Sequence, residues 1–248
     1  MHPIAFKLGP LEVHWYGVFV AAGFLAGLWS ARKRAARQGI SADTIVDLSF
    51  WILVAALVGA RTLYVITFWR DEFEGKPISA IFLQRSGLVF YGGLIGAVIA
   101  MMILARMRKV SALALFDVAA IVAPIGLFFG RIANFINGEL WGRPTDVAWA
   151  MVFPRADSLP RHPSQLYEAG LEGLLILIVV SYAVRKGGLK HAGFLSGLFG
   201  VLYALTRSFA ELFRDPDPVT EALSGGLTMG MVLSLPMALV GIWLGVLK

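Results

Sequence analysis

Long apolar runs, separated by short polar or basic stretches, dominate the pattern of hydrophobic and polar positions along the chain. A helix needs roughly 20 mostly apolar residues to cross the hydrocarbon core of a bilayer. Seven runs come near that length, at 13–31, 45–68, 86–105, 112–130, 164–184, 192–213 and 227–247. The pattern therefore predicts an all-α integral membrane protein with about seven transmembrane helices.

Composition supports the membrane class. Of the 248 residues, 58% are hydrophobic and 15% are charged, against roughly 45–50% and 25% in ordinary soluble domains. A soluble fold of this length has too little interior to bury so much apolar surface. We expect a single polytopic transmembrane domain over residues 1–248.

Basic residues predict the orientation of this domain. The loops after the first, third and fifth runs carry four, three and three Lys or Arg, and Asp43 is the one acidic residue among them. By the positive-inside rule these loops are cytoplasmic. The N-terminus is then outside and the C-terminus cytoplasmic, and outer-side loops lie at about 69–86, 131–163 and 214–226. The same clustering explains the net charge of +6 without a nucleic-acid partner.

Charged residues within or at the ends of the apolar runs are the functional candidates, because such residues normally face a bundle interior or a wet cavity. They are Arg61, Asp117, Glu168, Glu172, Arg207 and Glu211. For Asp117, Glu168 and Glu172, structural pairing between helices is an equally good interpretation.

The sixth run carries a polar stripe. Tyr203, Arg207 and Glu211 follow at intervals of four residues and Arg214 comes three later, so they share one helix face. Such a stripe suits an anionic headgroup, because the planar guanidinium matches phosphate oxygens. The alternative is an Arg207–Glu211 pair that only neutralises itself.

The segment 130–143, Gly-Arg-Ile-Ala-Asn-Phe-Ile-Asn-Gly-Glu-Leu-Trp-Gly-Arg, holds two arginines, two asparagines and a glutamate. These residues suit a polar pocket at the membrane interface, with Trp141 as an anchor. Arg131, Asn134 and Gly138 would share a face if the preceding helix continues. Tyr91, before Gly92 and Gly93, resembles a helix start at the same depth.

Four motifs together resemble the bacterial prolipoprotein diacylglyceryl transferases, and the similarity runs nearly end to end. The motifs are the segment 130–143, His-Trp-Tyr-Gly at 14–17, Arg-His-Pro-Ser-Gln-Leu-Tyr-Glu at 161–168 and Phe-Arg-Asp-Pro at 213–216. The resemblance implies transfer of the diacylglyceryl group of phosphatidylglycerol to the lipobox cysteine of a prolipoprotein. A thioether would form and glycerol-1-phosphate would leave, at the outer side of a bacterial cytoplasmic membrane. The chain has no cysteine, which fits a nucleophile brought by the substrate.

The resemblance also implies site residues. Arg131 and Arg207 are expected first at the phospholipid headgroup. Further expected lipid contacts are Tyr16, Arg61, Asn134, Glu139, Gly142, Arg143 and Arg214. Several family members have histidine where this chain has Tyr91, so the base that activates the thiol stays open among Tyr91, Tyr203, Glu211 and His14. No cofactor or metal is expected.

Two other functions use the same features. A transporter or channel for an anionic solute would need buried arginines, but the polar residues after the fourth run concentrate on one side and no inverted repeat of discontinuous helices is visible. An intramembrane serine protease would use Ser196, which lies near the predicted cytoplasmic end without a histidine in a partner span.

Overall fold

A computed structural model describes residues 4–9, 11–76, 81, 87–215 and 228–246, and this part of the chain is mostly helical. Seven long helices follow one another along it. They are α1 Trp15–Ala35, α2 Ala42–Thr67, α3 Phe90–Met107, α4 Ala112–Asn137, α5 Ser164–Arg185, α6 Phe194–Ala210 and α7 Met229–Val246. Each predicted apolar run overlaps one of them.

The shorter elements lie between or before these helices. Strands β1 (Ile4–Leu8) and β2 (Leu11–His14) form an antiparallel hairpin, and β3 (Met151–Val152) pairs with β4 (Pro160–Arg161). Short 3₁₀ helices cover Ala36–Gln38 and Gly188–Lys190, and a short π-helix covers Trp69–Phe73. The predicted all-α class therefore describes the long elements and omits two small strand pairs.

Helix length and polarity make the chain a multi-pass membrane protein. Among the described helices, α2, α3, α4 and α5 are long and apolar enough to cross a bilayer, while α6 and α7 are shorter apolar helices. Large apolar side chains stand outward, and Leu25, Ile66 and Leu239 remain 63–68% exposed. Hydrocarbon rather than water suits such surfaces, because lipid accepts apolar side chains without cost.

The chain divides into two compact units. One joins the described residues up to Arg34 with those from Phe116 onward, and the other is Ala35–Leu115. The smaller unit holds α2 and α3, which pack through small residues. A Cβ on Gly92 or Gly96 of α3 would collide with the backbone oxygen of Gly59 or Ala55 of α2, so these glycines permit the close approach typical of membrane helices.

The larger unit has an apolar core between α4, α5 and α6. Its fully buried side chains include Ile121, Ile176, Val180 and Leu195. Helices α6 and α7 again meet through glycine, because a Cβ on Gly197 would lie 2.6 Å from the Gly241 oxygen. This core fixes the helices that carry the polar residues described below.

Asp117 joins two of these helices at one end. Its fully buried carboxylate on α4 accepts hydrogen bonds from the backbone N–H groups of Gly193 and Ser196, at 2.7 and 2.8 Å, and from the Ser196 hydroxyl at 2.7 Å. These donors belong to the first turn of α6, whose N–H groups lack helical partners. Asp117 thus caps the N-terminus of α6 from the neighbouring helix α4. This contact agrees with the interpretation of Asp117 as a structural link between helices.

Helix α4 is longer than its predicted apolar run, which ends at 130. Ile132, Ala133 and Phe135 extend the apolar pattern, and the helix continues to Asn137. It stops at Gly138, whose φ of +63° favours glycine. Arg131 and Asn134 therefore lie on the last helical turns rather than in the loop.

Candidate active site

Six charged side chains meet inside the larger unit, and we refer to them as the charged cluster. They are Arg131 from α4, Glu168 and Glu172 from α5, and Arg207, Glu211 and Arg214 from the end of α6 and the turn after it. Three guanidinium groups thus face three carboxylates, and the formal charges balance.

Glu168 is the centre of the charged cluster. Its Oε2 lies 2.6 Å from Arg131 Nη2 and 2.9 Å from Arg207 Nη1, while its Oε1 lies 2.7 Å from Arg214 Nη1. The side chain has no exposed surface. One carboxylate therefore brings together three arginines that are far apart in sequence.

The other two carboxylates complete the charged cluster. Glu172 lies 3.4 Å from both Arg131 Nη2 and Arg207 Nη1. Glu211 pairs with Arg207 Nη2 and lies 3.6 Å from Arg214 Nε. Arg131 and Arg214 therefore each contact two carboxylates and Arg207 contacts three, so the predicted Arg207–Glu211 pair is one part of a larger network.

The local helix geometry explains why α5 can supply two carboxylates. The segment Ala169–Leu175 is π-helical, with hydrogen bonds to the fifth residue along and a wider turn than an α-helix. Glu168 precedes it and Glu172 lies within it. Such wide turns recur at functional sites because they re-aim side chains, and here both carboxylates contact the same two arginines.

Burial makes the charged cluster an expensive arrangement. Glu168 and Glu172 are fully buried and Glu211 is nearly so, whereas the three arginine side chains keep 13–16% of their surface exposed. Moving a charged side chain from water into the protein interior costs roughly several kcal/mol per ion. The attraction between the paired charges does not always offset this cost. A buried network at membrane depth is therefore a functional candidate, and its accessible side is formed by guanidinium groups.

A second polar group holds the end of α4. Asn134 Nδ2 donates to Glu139 Oε1 at 2.7 Å, and Asn137 Nδ2 donates to the same oxygen at 3.4 Å. Gln165 Nε2 donates to the backbone oxygen of Glu139 at 2.6 Å. The Asn134–Glu139 pair thus connects the last turn of α4 to the first turn of α5, which carries Glu168 one turn later.

The loop after α4 is attached to the turn after α6 through its backbone. Gly142 donates to the His162 oxygen at 2.9 Å, and a Cβ at Gly142 would lie 2.7 Å from that oxygen. Arg143 donates through its backbone to the Phe213 oxygen at 3.0 Å and through Nε to the Arg214 oxygen at 2.8 Å. Arg143 therefore holds the segment that carries Arg214, Gly142 holds the segment before α5, and the Gly142 position requires glycine.

An ion-pair group around the buried side chain of Arg161 closes this loop. Arg161 bonds Asp157 Oδ2 at 2.6 Å, Asp215 Oδ2 at 2.9 Å and the Gly142 oxygen at 3.0 Å. The Arg161 guanidinium and the Leu159 N–H donate to Asp157 and hold the pKa of that carboxyl below its ordinary value of 3.8. The loop connection is therefore intact across the neutral and mildly acidic range.

Three further predicted residues belong to the larger unit. Tyr203, one turn before Arg207 on α6, stacks on Phe199 with ring centroids 5.8 Å apart. Tyr16 is the second residue of α1 and is 41% exposed, and His14 ends β2 opposite Ile4. Their roles stay predictions.

Two predicted residues belong to the smaller unit. Arg61 Nε and Nη2 donate to the Ile81 oxygen at 3.0 and 2.7 Å, and Nη1 donates to the Gly87 oxygen at 3.1 Å. Tyr91 lies in the first turn of α3 as expected and meets Phe90 edge to face at 5.5 Å. A lipid contact through Arg61 and a catalytic role for Tyr91 also stay predictions.

Glu168 and Glu172 were missing from the predicted site residues, although they were recognised as charges in an apolar run. The available signal was their four-residue spacing within a span, which places two carboxylates on one side of one helix. The sequence did not show that their partners would be Arg131 and Arg207, because those residues come from other helices.

Fold and site together define a multi-pass membrane protein whose helices enclose a network of arginines and carboxylates. Comparison with known proteins identifies its family. Residues 3–247 match the family model described as prolipoprotein diacylglyceryl transferase. The chain therefore belongs to the prolipoprotein diacylglyceryl transferase family.

Curated relatives agree over nearly the whole chain. A phosphatidylglycerol–prolipoprotein diacylglyceryl transferase of Sinorhizobium medicae is 48% identical, covering 97% of this chain and 90% of the relative. Proteins of the same name from Rhizobium leguminosarum bv. trifolii and Rhodopseudomonas palustris are 46% and 45% identical, each over 97% of this chain, and covering 89% and 87% of the relatives. The resemblance drawn from the four motifs is confirmed.

Proposed function

We infer that this protein transfers the diacylglyceryl group of phosphatidylglycerol to the lipobox cysteine of a prolipoprotein, as the first step of lipoprotein maturation. Family membership supports the reaction. One observation supports the site: Arg131 and Arg207 both contact the same Glu168 oxygen, at 2.6 and 2.9 Å. Two guanidinium groups held that close together fit a single phosphate.

The proposed step is a displacement at carbon. The cysteine sulfur forms a bond to the glyceryl carbon that carries the phosphate, and the carbon–oxygen bond breaks. The electron pair of that bond goes to the phosphate oxygen, so glycerol-1-phosphate leaves and a thioether remains. The leaving phosphate changes from one negative charge to two, so the transition state needs positive charge beside it.

Arg131 and Arg207 supply that charge in our proposal. Their N–H groups turn from the carboxylates to the phosphate oxygens, which guanidinium binds in a bidentate manner. Arg214 shares Glu168 with them and supports the same phosphate. Asn134, Glu139, Gly142 and Arg143 act by holding the segments that carry these arginines.

Glu211 is our choice among the four candidates for the proton acceptor of the thiol. It pairs with Arg207 and lies 3.6 Å from Arg214 Nε, so it is next to the proposed phosphate site. The thiolate is the attacking form, and nearby arginines stabilise it. The proton can later leave on the released phosphate. Tyr91, Tyr203 and His14 remain the alternatives for this role.

For the topology we propose seven transmembrane helices in the cytoplasmic membrane of a bacterium, with the N-terminus outside and the charged cluster toward the outer side. The support is the distribution of basic residues, which crowd the ends of α1, α3 and α5. These ends would be cytoplasmic by the positive-inside rule. Tyr16 and Arg61 would then contact lipid from the spans.

The reaction is tested with purified protein, phosphatidylglycerol and a lipobox peptide. Mass spectrometry should find the peptide heavier by one diacylglyceryl group, and free glycerol-1-phosphate in equal amount. A serine in place of the peptide cysteine is the matched control and should stay unmodified. Transfer to the serine peptide, or no product from the cysteine peptide, would contradict the proposed function.

The topology is tested by single cysteines, because the chain has none of its own. Ala148→Cys lies in the loop between α4 and α5, and Ala36→Cys lies between α1 and α2; both positions are exposed. A maleimide that does not cross membranes should label Ala148→Cys in intact spheroplasts and Ala36→Cys only after lysis. The reverse pattern would invert the proposed orientation.

A further inference from the structure

Two buried polar atoms beside the charged cluster lack a hydrogen-bond partner among the residues that the structure describes. They are Arg131 Nε, which is a donor, and Gln165 Oε1, which is an acceptor. Gln165 has no exposed surface at all. Because the great majority of buried polar atoms in folded proteins are paired, each orphan needs a reason.

The orientation of the Gln165 amide is fixed by its other atom. Its Nε2 donates to the Glu139 oxygen at 2.6 Å, so the nitrogen and oxygen cannot be exchanged without losing that bond. The side-chain oxygen of Gln165 is therefore the atom without a hydrogen-bond partner among the described residues. Gln165 precedes Glu168 by three residues in α5, which places both on one side of the helix.

The two orphans differ in what they require. Arg131 Nε requires an acceptor, and a phosphate oxygen is one. Gln165 Oε1 requires a donor, which a phosphodiester does not provide. A lipid that satisfies both atoms carries a donor next to its phosphate, as the hydroxyl groups of a glycerol headgroup do.

We propose that Gln165 recognises the headgroup of the lipid substrate by accepting a hydrogen bond from a glycerol hydroxyl, while Arg131 Nε donates to the adjacent phosphate. The proposal rests on the proposed function and makes Gln165 a residue that determines lipid specificity. A headgroup without hydroxyls would leave the Gln165 oxygen buried and unpaired. The free-energy cost of this unpaired acceptor would make a lipid without headgroup hydroxyls a poorer substrate than phosphatidylglycerol.

The test crosses two lipids with two forms of the protein. Phosphatidylglycerol is compared with phosphatidylpropanol, which has the same three-carbon headgroup without its hydroxyls, and wild type is compared with Gln165→Met. Wild type should transfer from phosphatidylglycerol about 10- to 100-fold faster in kcat/KM. In Gln165→Met the ratio of the two rates should fall to near one, because any loss from breaking the Gln165 Nε2–Glu139 hydrogen bond affects both lipids equally and cancels in that ratio.

The controls separate this idea from a general loss of structure. Gln38→Met, in the smaller unit, should keep the wild-type preference between the two lipids. Gln165→Glu retains an acceptor and should keep the preference even where its rate is lower, so it replaces Gln165→Met if that variant does not fold.

Each outcome decides the proposal. Equal losses with both lipids in Gln165→Met would make Gln165 a structural residue, and a wild-type preference near one would remove hydroxyl recognition altogether. Both results leave transfer from phosphatidylglycerol intact in wild type. Absence of any transfer in wild type would instead contradict the proposed function.

Discussion

Two arginines on apolar helices, Arg207 in the larger unit and Arg61 in the smaller, satisfy their charge in different ways. Arg207 contacts three carboxylates, on Glu168, Glu172 and Glu211. Arg61 donates to the backbone oxygens of Ile81 and Gly87. The first arrangement joins ionised side chains from several helices, whereas the second holds the backbone at Ile81 and Gly87 beside α2.

This difference determines which arginine is available to bind a ligand. A phosphate can take the place of a carboxylate on a guanidinium, because guanidinium binds both anions in a bidentate manner. A backbone oxygen that loses its donor gains nothing in return and is left unpaired. We therefore expect Arg207 and Arg131 to serve the reaction, and Arg61 chiefly to serve the fold.

The largest effect should come from removing a guanidinium of the charged cluster. Arg131→Ala or Arg207→Ala should lower transfer by about a thousandfold or more, because the departing phosphate loses a cation. The measurement is lipobox-peptide modification by mass spectrometry, with membrane insertion checked for each variant. A rate like that of wild type in either variant removes that residue from the mechanism.

The next effect should come from the carboxylate that three arginines share. Glu168→Gln keeps the size of the side chain but leaves Arg131, Arg207 and Arg214 without their common counter-charge. Breaking a buried ion pair costs about 3–5 kcal/mol, so we expect about a hundredfold slower transfer and a lower unfolding temperature. Glu12→Gln, which breaks an exposed pair with Lys7, should change neither quantity measurably.

A smaller effect is expected where α7 touches the charged cluster. A Cβ on Gly230 would contact the Glu211 carboxylate and lie 3.0 Å from Arg207 Nε. Gly230→Ala should therefore displace this pair and slow transfer about tenfold, mainly in kcat. Gly245→Ala on the same helix, where a Cβ meets nothing within 4 Å, is the matched control. Equal rates in the two variants would show that the contact does not matter.

Arg61→Ala tests the other side of the comparison. Two backbone oxygens lose their donor, which costs about 1–3 kcal/mol, so the unfolding temperature should drop while transfer falls less than about tenfold. Arg108→Ala, which breaks an exposed pair with Asp47, controls for the loss of a positive charge. If Arg61→Ala abolished transfer in a protein of normal stability, Arg61 would belong with Arg207.

The smallest effect concerns the loop pair Arg161–Asp157. The pKa of Asp157 is lowered by the Arg161 hydrogen bond, so the pair stabilises the loop above pH 3.8 and is lost only as the pH falls through the lowered value. Hydrogen exchange at 151–161 should be unchanged between pH 7 and 5, after correction for intrinsic rates, and rise below pH 4. Asp157→Asn should remove that rise, and its persistence in the variant would assign the effect to another group.

The sequence predicted the helices well because membrane helices follow from local composition. Each of the seven apolar runs overlaps a helix, since a run of about 20 apolar residues is recognisable without knowledge of its neighbours in the fold. The short strand pairs and the extension of α4 to Asn137 were not predicted. The α4 helix ends at Gly138 rather than at Gly130. Because both positions are glycines, the sequence alone does not show which of them ends the helix.

The site was predicted as a set of residues but not as a geometry. Arg131, Arg207, Glu211 and Arg214 were named from their positions, whereas Glu168 was left open because its partners come from α4 and α6. Asp117 had the same signal as Glu168, a carboxylate in an apolar run, and caps a helix instead. Only tertiary contacts separate the two, because a span sequence does not show which neighbour a charge will face.

The Asp117 cap also bears on how the protein can vary in length. Fourteen residues separate Asp117 from Arg131 on α4, and fourteen separate Gly193 from Arg207 on α6. Both stretches start from the same hydrogen bond and rise by about 1.5 Å per residue, so the two guanidinium groups arrive level with each other. Inserting or deleting one residue in either stretch would turn its arginine by about 100° away from the other. Natural relatives should therefore show substitutions in these two stretches but no gaps.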